Sequence, residues 1–444
     1  MGSLAAYKRS PVRFLLDTQA AYGDVARFRL GPYLTQLVTH PDGISHVIAA
    51  NDRNYCRGRY YEKFKIFFGQ GLLTLDGDAW RSHRRVAQPA FLRTVIGQST
   101  GHVSAATESM LQRWERMAAQ GEPAELIPEV MALTLSSLSR TLFGLDVSDR
   151  HETIGQAVDF GVKAMFNNGT VDEMLPSWLP TQRNRLIRRH RGVLTDMVDR
   201  IRREHDREHA TIDLVDLFES ATHLASDHPW SDREIADELT TVFLAGQETT
   251  AMSLCWTLAA IASHPQVREE LEAEVDRVLG GAPVTEQSLA DLRYTQMVVE
   301  ESLRLYPPIW LYTRDALAAD EVMGYAVPAG SSVLVSPLAT HRRPDLWPSP
   351  ETFDPSRFDP DHKRRRARFA YFPFGGGPRQ CIGMHLALHE LKIMVAMIAS
   401  RFRLELDRPV EIGRPVLSLR PLHDVTVRLH ARHGAGRSRH QVPA

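Results

Sequence analysis

A ten-residue stretch near the C-terminus, Phe374-Gly375-Gly376-Gly377-Pro378-Arg379-Gln380-Cys381-Ile382-Gly383, constrains this chain more than any other. It sets one cysteine after a glycine-rich turn and directly before an amphipathic helix, expected from Met384 to about Ser400. The positive end of a helix macrodipole and its unpaired N–H groups favour a thiolate. Glycines let the turn close tightly, so that backbone can approach the sulfur and a flat ligand lying against it. Arg379, two residues upstream, suits an anionic group on that ligand. Taken alone, such a loop also fits a tight turn around a small core residue.

The spacing Phe374-x-x-Gly377-x-Arg379-x-Cys381-x-Gly383 is more specific. It resembles the haem-binding signature of the cytochrome P450 family. That resemblance implies iron protoporphyrin IX (haem b) with Cys381 as the metal ligand and Arg379 on a propionate. Phe374, Gly377 and Gly383 would shape the loop around the cofactor.

The rest of the composition is compatible. Lys plus Arg number 53 and Asp plus Glu 54, a balance that argues against a general nucleic-acid binder. Cys56, Cys255 and Cys381 are odd in number and far apart, so no disulfide framework is indicated. A reducing, cytoplasmic setting is expected, in which a thiolate ligand persists. No stretch approaches the ~20 apolar residues of a membrane span, and the N-terminus lacks the apolar core of a signal peptide. A soluble chain, monomeric and without a membrane span, is the expectation.

In chain order, Pro11 to Tyr22 reads as a helix, followed by a hairpin across Gly31-Pro32 and a helix from Pro41 to about Asn51. Residues 52 to 76 lack clean periodicity but carry Phe64, Phe67, Phe68 and Leu72. Such an aromatic loop suits the wall of an apolar pocket, or equally ordinary packing under a long loop. A helix from Asp78 places Trp80 and Arg84 on one face, where an indole and a guanidinium suit a second anionic group. Residues 97 to 225 read as mostly helical, interrupted at Met174–Pro180 before a basic helix from Gln182 to about Arg207. His205 and His209 have ligand spacing, but their charged surroundings read as solvated.

The longest helix is well delimited. Ser231-Asp-Arg-Glu234 is a capping box and Pro265 a stop, so residues 232 to 263 make a helix about 48 Å long at ~1.5 Å per residue. Its middle, Leu244-Ala245-Gly246-Gln247-Glu248-Thr249-Thr250, holds an acid and two hydroxyls between apolar turns. Gly246 weakens the helix by up to about 1 kcal/mol relative to alanine, and a threonine can divert a backbone carbonyl. A locally opened helix with an acid–alcohol pair fits a dioxygen pocket with a proton route; a buried ion pair is the alternative for Glu248. Further on, Glu301 and Arg304 share a helix face, before Arg357 in Asp354-Pro-Ser-Arg-Phe358. Val322–Val335, Phe402–Leu406 and Val425–Leu429 alternate like strands, and the tail from residue 431 to 444 has a disordered composition.

These motifs stand in the order of the P450 family, and the resemblance covers about residues 11 to 430. It implies one domain, over residues 1 to 430, with the triangular, mainly α fold and a smaller β-rich lobe. The haem would lie between the long central helix and the cysteine-loop helix. Trp80, Arg84 and Arg314 match propionate-binding positions, Ala245 and Gly246 the distal face, and Glu301, Arg304 and Arg357 a structural charge network. Met174–Pro180 matches a lid over the substrate entrance. Where many members carry His-Arg-Asp-Pro, this chain has His341-Arg342-Arg343-Pro344.

The activity implied is monooxygenation: a thiolate trans to dioxygen favours O–O cleavage, with Glu248 and Thr249 handling protons. One oxygen atom would enter an apolar molecule by hydroxylation or epoxidation. Electrons would come from NAD(P)H through a separate ferredoxin and ferredoxin reductase or a flavodoxin. The run Lys363-Arg364-Arg365-Arg366-Ala367-Arg368, with Arg81 and Arg85, suits a basic dock for that partner, or a solvated loop. A haem-thiolate sensor, or a peroxide-driven or isomerase relative, is the rival class, and the Glu248-Thr249 pair argues against it. Candidate pocket residues are Phe67, Phe68, Leu72, Val242, Phe243, Ile309, Trp310, Leu311, Leu417 and Leu419. They suit a terpenoid, polyketide, fatty acid or aromatic compound and choose none of these.

Overall fold

The structure, a computed structural model, describes residues 2–166, 179, 181–205, 212–223, 228–415 and 417–432. The expected lid at 174–180 lies outside them except for Leu179, as do His209 and most of the C-terminal tail.

The organising element is the helix Asp232–Ser263, hereafter the central helix. Its start is fixed as the sequence indicates. The Ser231 hydroxyl accepts from the Glu234 N–H, and the Glu234 carboxylate accepts from the Ser231 N–H at 2.8 Å. Its second half, Ala251 to Ile261, is buried on every side, which its nearly unbroken apolar sequence requires. Around it pack the helices Leu126–Phe143, Arg293–Leu305 and Met384–Arg401, the last being the cysteine helix. Together they enclose a core containing Leu254, Leu258, Val298, Leu391 and Met394.

A smaller β-rich lobe closes one side. Strands β1 (Val25–Leu30), β2 (Tyr33–Val38), β3 (Tyr55–Cys56), β5 (Tyr312–Ala316) and β8 (Ser332–Val335) form one sheet in the order β1-β2-β8-β5-β3. β2 and β8 run parallel, with Val38 opposite Val335, and the other pairs are antiparallel. Strand β4 (Ala124–Glu125) pairs with β10 (Thr426–Ala431), which pairs with β9 (Phe402–Leu406). A hairpin of β6 (Asp320–Val322) and β7 (Tyr325–Val327) completes the strands.

Two stretches differ from expectation. The helix expected from Pro41 to Asn51 is α-helical only to Ser45 and continues as a π-turn over His46–Ala50. The aromatic stretch 52–76 is not all loop: Arg59–Phe68 is a helix bounded by Gly58 and Gly69, both at positive φ. Phe64, Phe67 and Phe68 sit three and four apart on its inner face and are buried, a helical period in a segment too short for the pattern to stand out.

Candidate active site

The cysteine loop is a tight turn held by its own backbone. Cys381 N–H donates to Phe374 O at 2.9 Å, and Gly375 N–H to Phe372 O at 2.9 Å. Gly377 has φ +65°, and a Cβ there would run into the Ile48 carbonyl, so only glycine fits where the loop meets the π-turn. Gly383 is different. A Cβ there would meet nothing closer than Phe91 at 3.9 Å, so protein contacts do not require glycine and that side of the loop is open. Cys381 is the one exposed cysteine. Yet burial is the chief influence on its thiol, pushing the pKa up, partly offset by the Gly383 N–H and Arg84. An exposed sulfur deep in desolvating protein faces an interior space.

Guanidinium groups collect around that space. Arg84, on the helix Gly77–Ala87, is desolvated and feels the Cys381 sulfur rather than a carboxylate. Arg314, on β5, is buried and, among the described residues, donates only to its neighbour's carbonyl, Thr313 O, at 2.8 Å. Arg379 lies over the Trp80 ring at 4.3 Å and pairs with Asp76, which is also held by the Arg57 N–H at 3.1 Å. Burial, then Arg57, brings the Arg379 pKa down to about 9. A guanidinium does not in practice release its proton; the depression instead measures positive charge buried without enough negative charge. Arg57 is the member that sequence reasoning missed. Its Nε is buried with no hydrogen-bond partner among the described residues, and its charge acts on Arg314 and Arg379.

On the central helix, Ala245 is exposed and Gly246 and Thr249 are half-buried, whereas Thr241–Leu244, Gln247 and Glu248 are buried. The exposed face of a helix enclosed by protein again borders interior space. The expected opening of the helix is not seen: residues 232–263 are continuous α-helix. Thr249 Oγ1 donates to Ala245 O at 2.6 Å without breaking it. Gly246 is explained by packing, since a Cβ would lie 2.9 Å from Leu138 Cδ2. Glu248 takes the alternative considered for it, a buried ion pair. Successive residues on an α-helix point about 100° apart, so when Thr249 faces the space, Glu248 turns away. Its Oε1 accepts from Ser418 Oγ at 2.6 Å and from Arg420 at 2.8 and 3.0 Å.

The structure brings Glu301, Arg304 and Arg357 together. Glu301 and Arg304 make two parallel hydrogen bonds of 2.7 and 2.8 Å, both fully buried. Arg357 Nε lies 3.5 Å from Glu301 Oε1. Arg304 also donates to the His341, Pro350 and Thr352 carbonyls, gathering the chain that leads to the cysteine loop. The departure at Arg343 is balanced locally by ion pairs to Asp24 and Asp345, each at 2.7 Å.

Of the pocket candidates, Phe67, Phe68, Leu72, Val242 and Phe243 share one apolar cluster, with Leu417 packed against it. Phe67, Phe68 and Phe243 are packed core within it. Ile309 and Leu311 are half-buried. Trp310 and Leu419 pack elsewhere, with Leu15, Leu37 and Leu334 under the sheet. Leu311 also packs against that cluster. The basic run is also partly committed. Arg366 stacks on Trp347 at 4.4 Å and Phe358 at 4.5 Å, Lys363 pairs with Glu300, and Arg364 pairs with Asp361. Arg365, Arg368 and Arg85 are exposed.

A sulfur facing inward, buried cations short of counter-charge, and a glycine open on one side fit a flat, dianionic, metal-bearing group. Those features, on this fold, define a haem-thiolate protein. The comparisons agree. The Cytochrome P450 family profile matches residues 1–422. The chain is 35% identical over 419 residues to a Streptomyces melanosporofaciens protein named cyclooctat-9-en-7-ol 5-monooxygenase, covering 92% of this chain and 88% of that one. It is 30% identical over 423 residues to pentalenene oxygenase of Streptomyces avermitilis, covering 95% and 92%. The crystal structure of the cytochrome P450DA heme domain superposes with a TM-score of 0.86 at 25% identity, covering 98% and 96%. This chain belongs to the cytochrome P450 family and is a cytochrome P450 monooxygenase. Among the described residues no helix is long and apolar enough to cross a membrane.

Proposed function

We propose that this enzyme inserts one oxygen atom into a cyclic terpenoid, by hydroxylation or epoxidation, with electrons from a separate acidic ferredoxin. For hydroxylation the balance is RH + O₂ + 2e⁻ + 2H⁺ giving ROH + H₂O. Cys381 Sγ would hold the iron of haem b, and Arg57, Arg84, Arg314 and Arg379 would take its two propionates. Bound there, the thiolate-ligated iron supplies dioxygen activation and oxygen-atom transfer. Thr249 Oγ1, on the face beside Ala245, would hold a proton by hydrogen bonding near the reacting oxygen. Glu248, anchored by Ser418 and Arg420, would fix the C-terminal loop that carries Leu417 over the substrate.

The observation that carries the oxygenase reading is the Cys381 thiol, surrounded by desolvating protein and yet exposed. For the substrate, support comes from the relatives, whose names give cyclooctat-9-en-7-ol and pentalenene. An uncharged wall of Leu72, Val242, Ile309, Leu311 and Leu417 would suit such a guest. Arg85, Arg365 and Arg368 remain as the dock for the electron donor. The test is to reconstitute the enzyme with a ferredoxin, its reductase and NADPH, and to offer cyclic sesquiterpenes, diterpenes and their mono-alcohols. A blue-shifted Soret band and a product heavier by one oxygen support the reading; oxidation of fatty acids alone overturns the substrate class. Charge reversal at Arg85 and Arg365 should slow ferredoxin-supported turnover steeply at low salt.

A further inference from the structure

The basic helix Gln182–Glu204 ends at His205, and the short helix Leu214–Glu219 is capped by Asp213. Among the described residues, three side chains meet at this corner. His205 Nε2 lies 3.7 Å from Asp213 Oδ2 and 3.6 Å from Asp216 Oδ1, and all three atoms fall within 4.8 Å of one another. These distances exceed hydrogen-bonding range. Among the described residues, neither His205 Nε2 nor Asp213 Oδ2, both buried, has a hydrogen-bond partner, and the histidine side chain is only 9% exposed.

The remaining atoms fix what faces the centre. His205 Nδ1 lies 3.1 Å from Arg202 O. A carbonyl only accepts, so Nδ1 carries a proton, and Nε2 is the ring atom that faces the two carboxylates. Asp213 Oδ1 is used as the helix cap, accepting from Asp216 N–H at 3.0 Å, which leaves Oδ2 turned inward. Electron-rich atoms buried face to face repel unless a cation lies between them.

The spacing suits a metal ion. Donors about 2.1 Å from a tetrahedral zinc stand roughly 3.4 Å apart, close to the separations here. The Nδ1–H to carbonyl bond is the second contact by which metal-binding histidines are usually oriented. We propose that His205, Asp213 and Asp216 form a divalent-cation site, filled best by zinc. The ion would tie the end of the basic helix to the Leu214–Glu219 helix. That short helix packs on both the central helix and the Trp80 helix, so the site would stiffen one corner of the frame around the active site. None of its residues belongs to the oxygenase machinery, so it stands or falls independently of that reading.

The alternative occupant of the corner is a proton, making an imidazolium between two carboxylates, and the experiment separates the two. Haem-loaded protein is stripped with a chelator and titrated with zinc chloride against a fluorescent zinc indicator. Expected are one zinc per chain and a zinc-edge X-ray absorption spectrum with nitrogen and oxygen neighbours but no sulfur at about 2.3 Å. At a hundred-fold excess over Kd the melting temperature should rise by roughly 1–3 °C. His205→Ala should abolish binding, and Asp216→Asn, at a partly exposed rim position, should weaken it at least about ten-fold. Both should keep the reduced carbon monoxide spectrum. Failure of the unmodified protein to bind stoichiometric zinc overturns the proposal, even if His205→Ala does not fold. So does a sulfur shell, binding undiminished by Asp216→Asn, or a His205 ring found doubly protonated at neutral pH in zinc-treated protein.

Discussion

His341 Nε2 accepts a hydrogen bond from the backbone N–H of Phe372 at 3.0 Å, while its Nδ1 lies 3.1 Å from Arg304 O. One neutral imidazole thus joins the buried charge network to the first residue of the turn that presents Cys381. Burial, with Arg304, Arg342 and Arg366 nearby, holds its pKa well below the ordinary 6.5. The unfolded chain binds this proton near pH 6.5 and the folded chain does not. The stability His341 contributes is therefore complete above that value and is lost as pH falls below it. Melting temperature and Soret absorbance should decline together from pH 7 to pH 5, and His341→Gln should flatten part of that slope. An unchanged slope in the variant would assign the acid sensitivity to other groups.

Arg304 joins the Glu301 carboxylate to three backbone carbonyls in the chain that leads to the cysteine loop. Removing it leaves Glu301 buried without its partner and frees three backbone carbonyls. Breaking such a pair costs about 3–5 kcal/mol, and the segment it releases leads to the haem ligand. Arg304→Ala should yield protein with little haem, measured as the ratio of Soret to 280 nm absorbance. Full haem content with an unaltered melting temperature would show that the network is dispensable.

Local signals in the sequence sufficed for much of this architecture. The central helix is bounded by Ser231, Glu234 and Pro265, each acting within one turn, and the structure starts and stops it there. The turn from Phe374 to Gly383 was equally legible because its glycines and cysteine lie in consecutive backbone. What stayed hidden depends on distant partners. Glu248 meets Ser418 and Arg420, 170 and 172 positions away, and no local pattern announces that. Arg57 sits in an irregular stretch, where a lone arginine reads as surface until β5 brings Arg314 beside it.

The separate directions of Thr249 and Glu248 predict separate phenotypes. Thr249→Ala removes the hydroxyl now bonded to Ala245 O and should keep haem and oxygen uptake. Product per NADPH should fall several-fold while hydrogen peroxide rises. Equal coupling in variant and parent would remove Thr249 from the proton path.

Glu248→Gln should instead act through the C-terminal loop. The variant loses a charge-assisted clamp that contributes about 1.5–3 kcal/mol, and Arg420→Gln cuts the same contact from the other side. Both should lower the melting temperature, raise KM and broaden the product pattern in the same way. A Glu248→Gln defect confined to kcat, absent from Arg420→Gln, would make Glu248 a proton donor rather than an anchor.

Glu390 supplies the opposite pH signature to His341. It lies on the buried face of the cysteine helix, and Ser137 Oγ donates to its Oε1 at 2.6 Å. Burial, only partly offset by that bond, pushes its pKa from 4.5 to about 7. With the folded value raised, its contribution is complete below pH 4.5 and is lost as pH rises through about 7. At ~1.4 kcal/mol per unit, the ionised form at pH 8 costs the fold roughly 3 kcal/mol. Glu390→Gln preserves the neutral shape and the acceptor for Ser137. It should melt several degrees above the parent at pH 8 and no higher at pH 5. A gain of the same size at both pH values would mean that Glu390 stays protonated throughout, and that the benefit of the amide arises from packing.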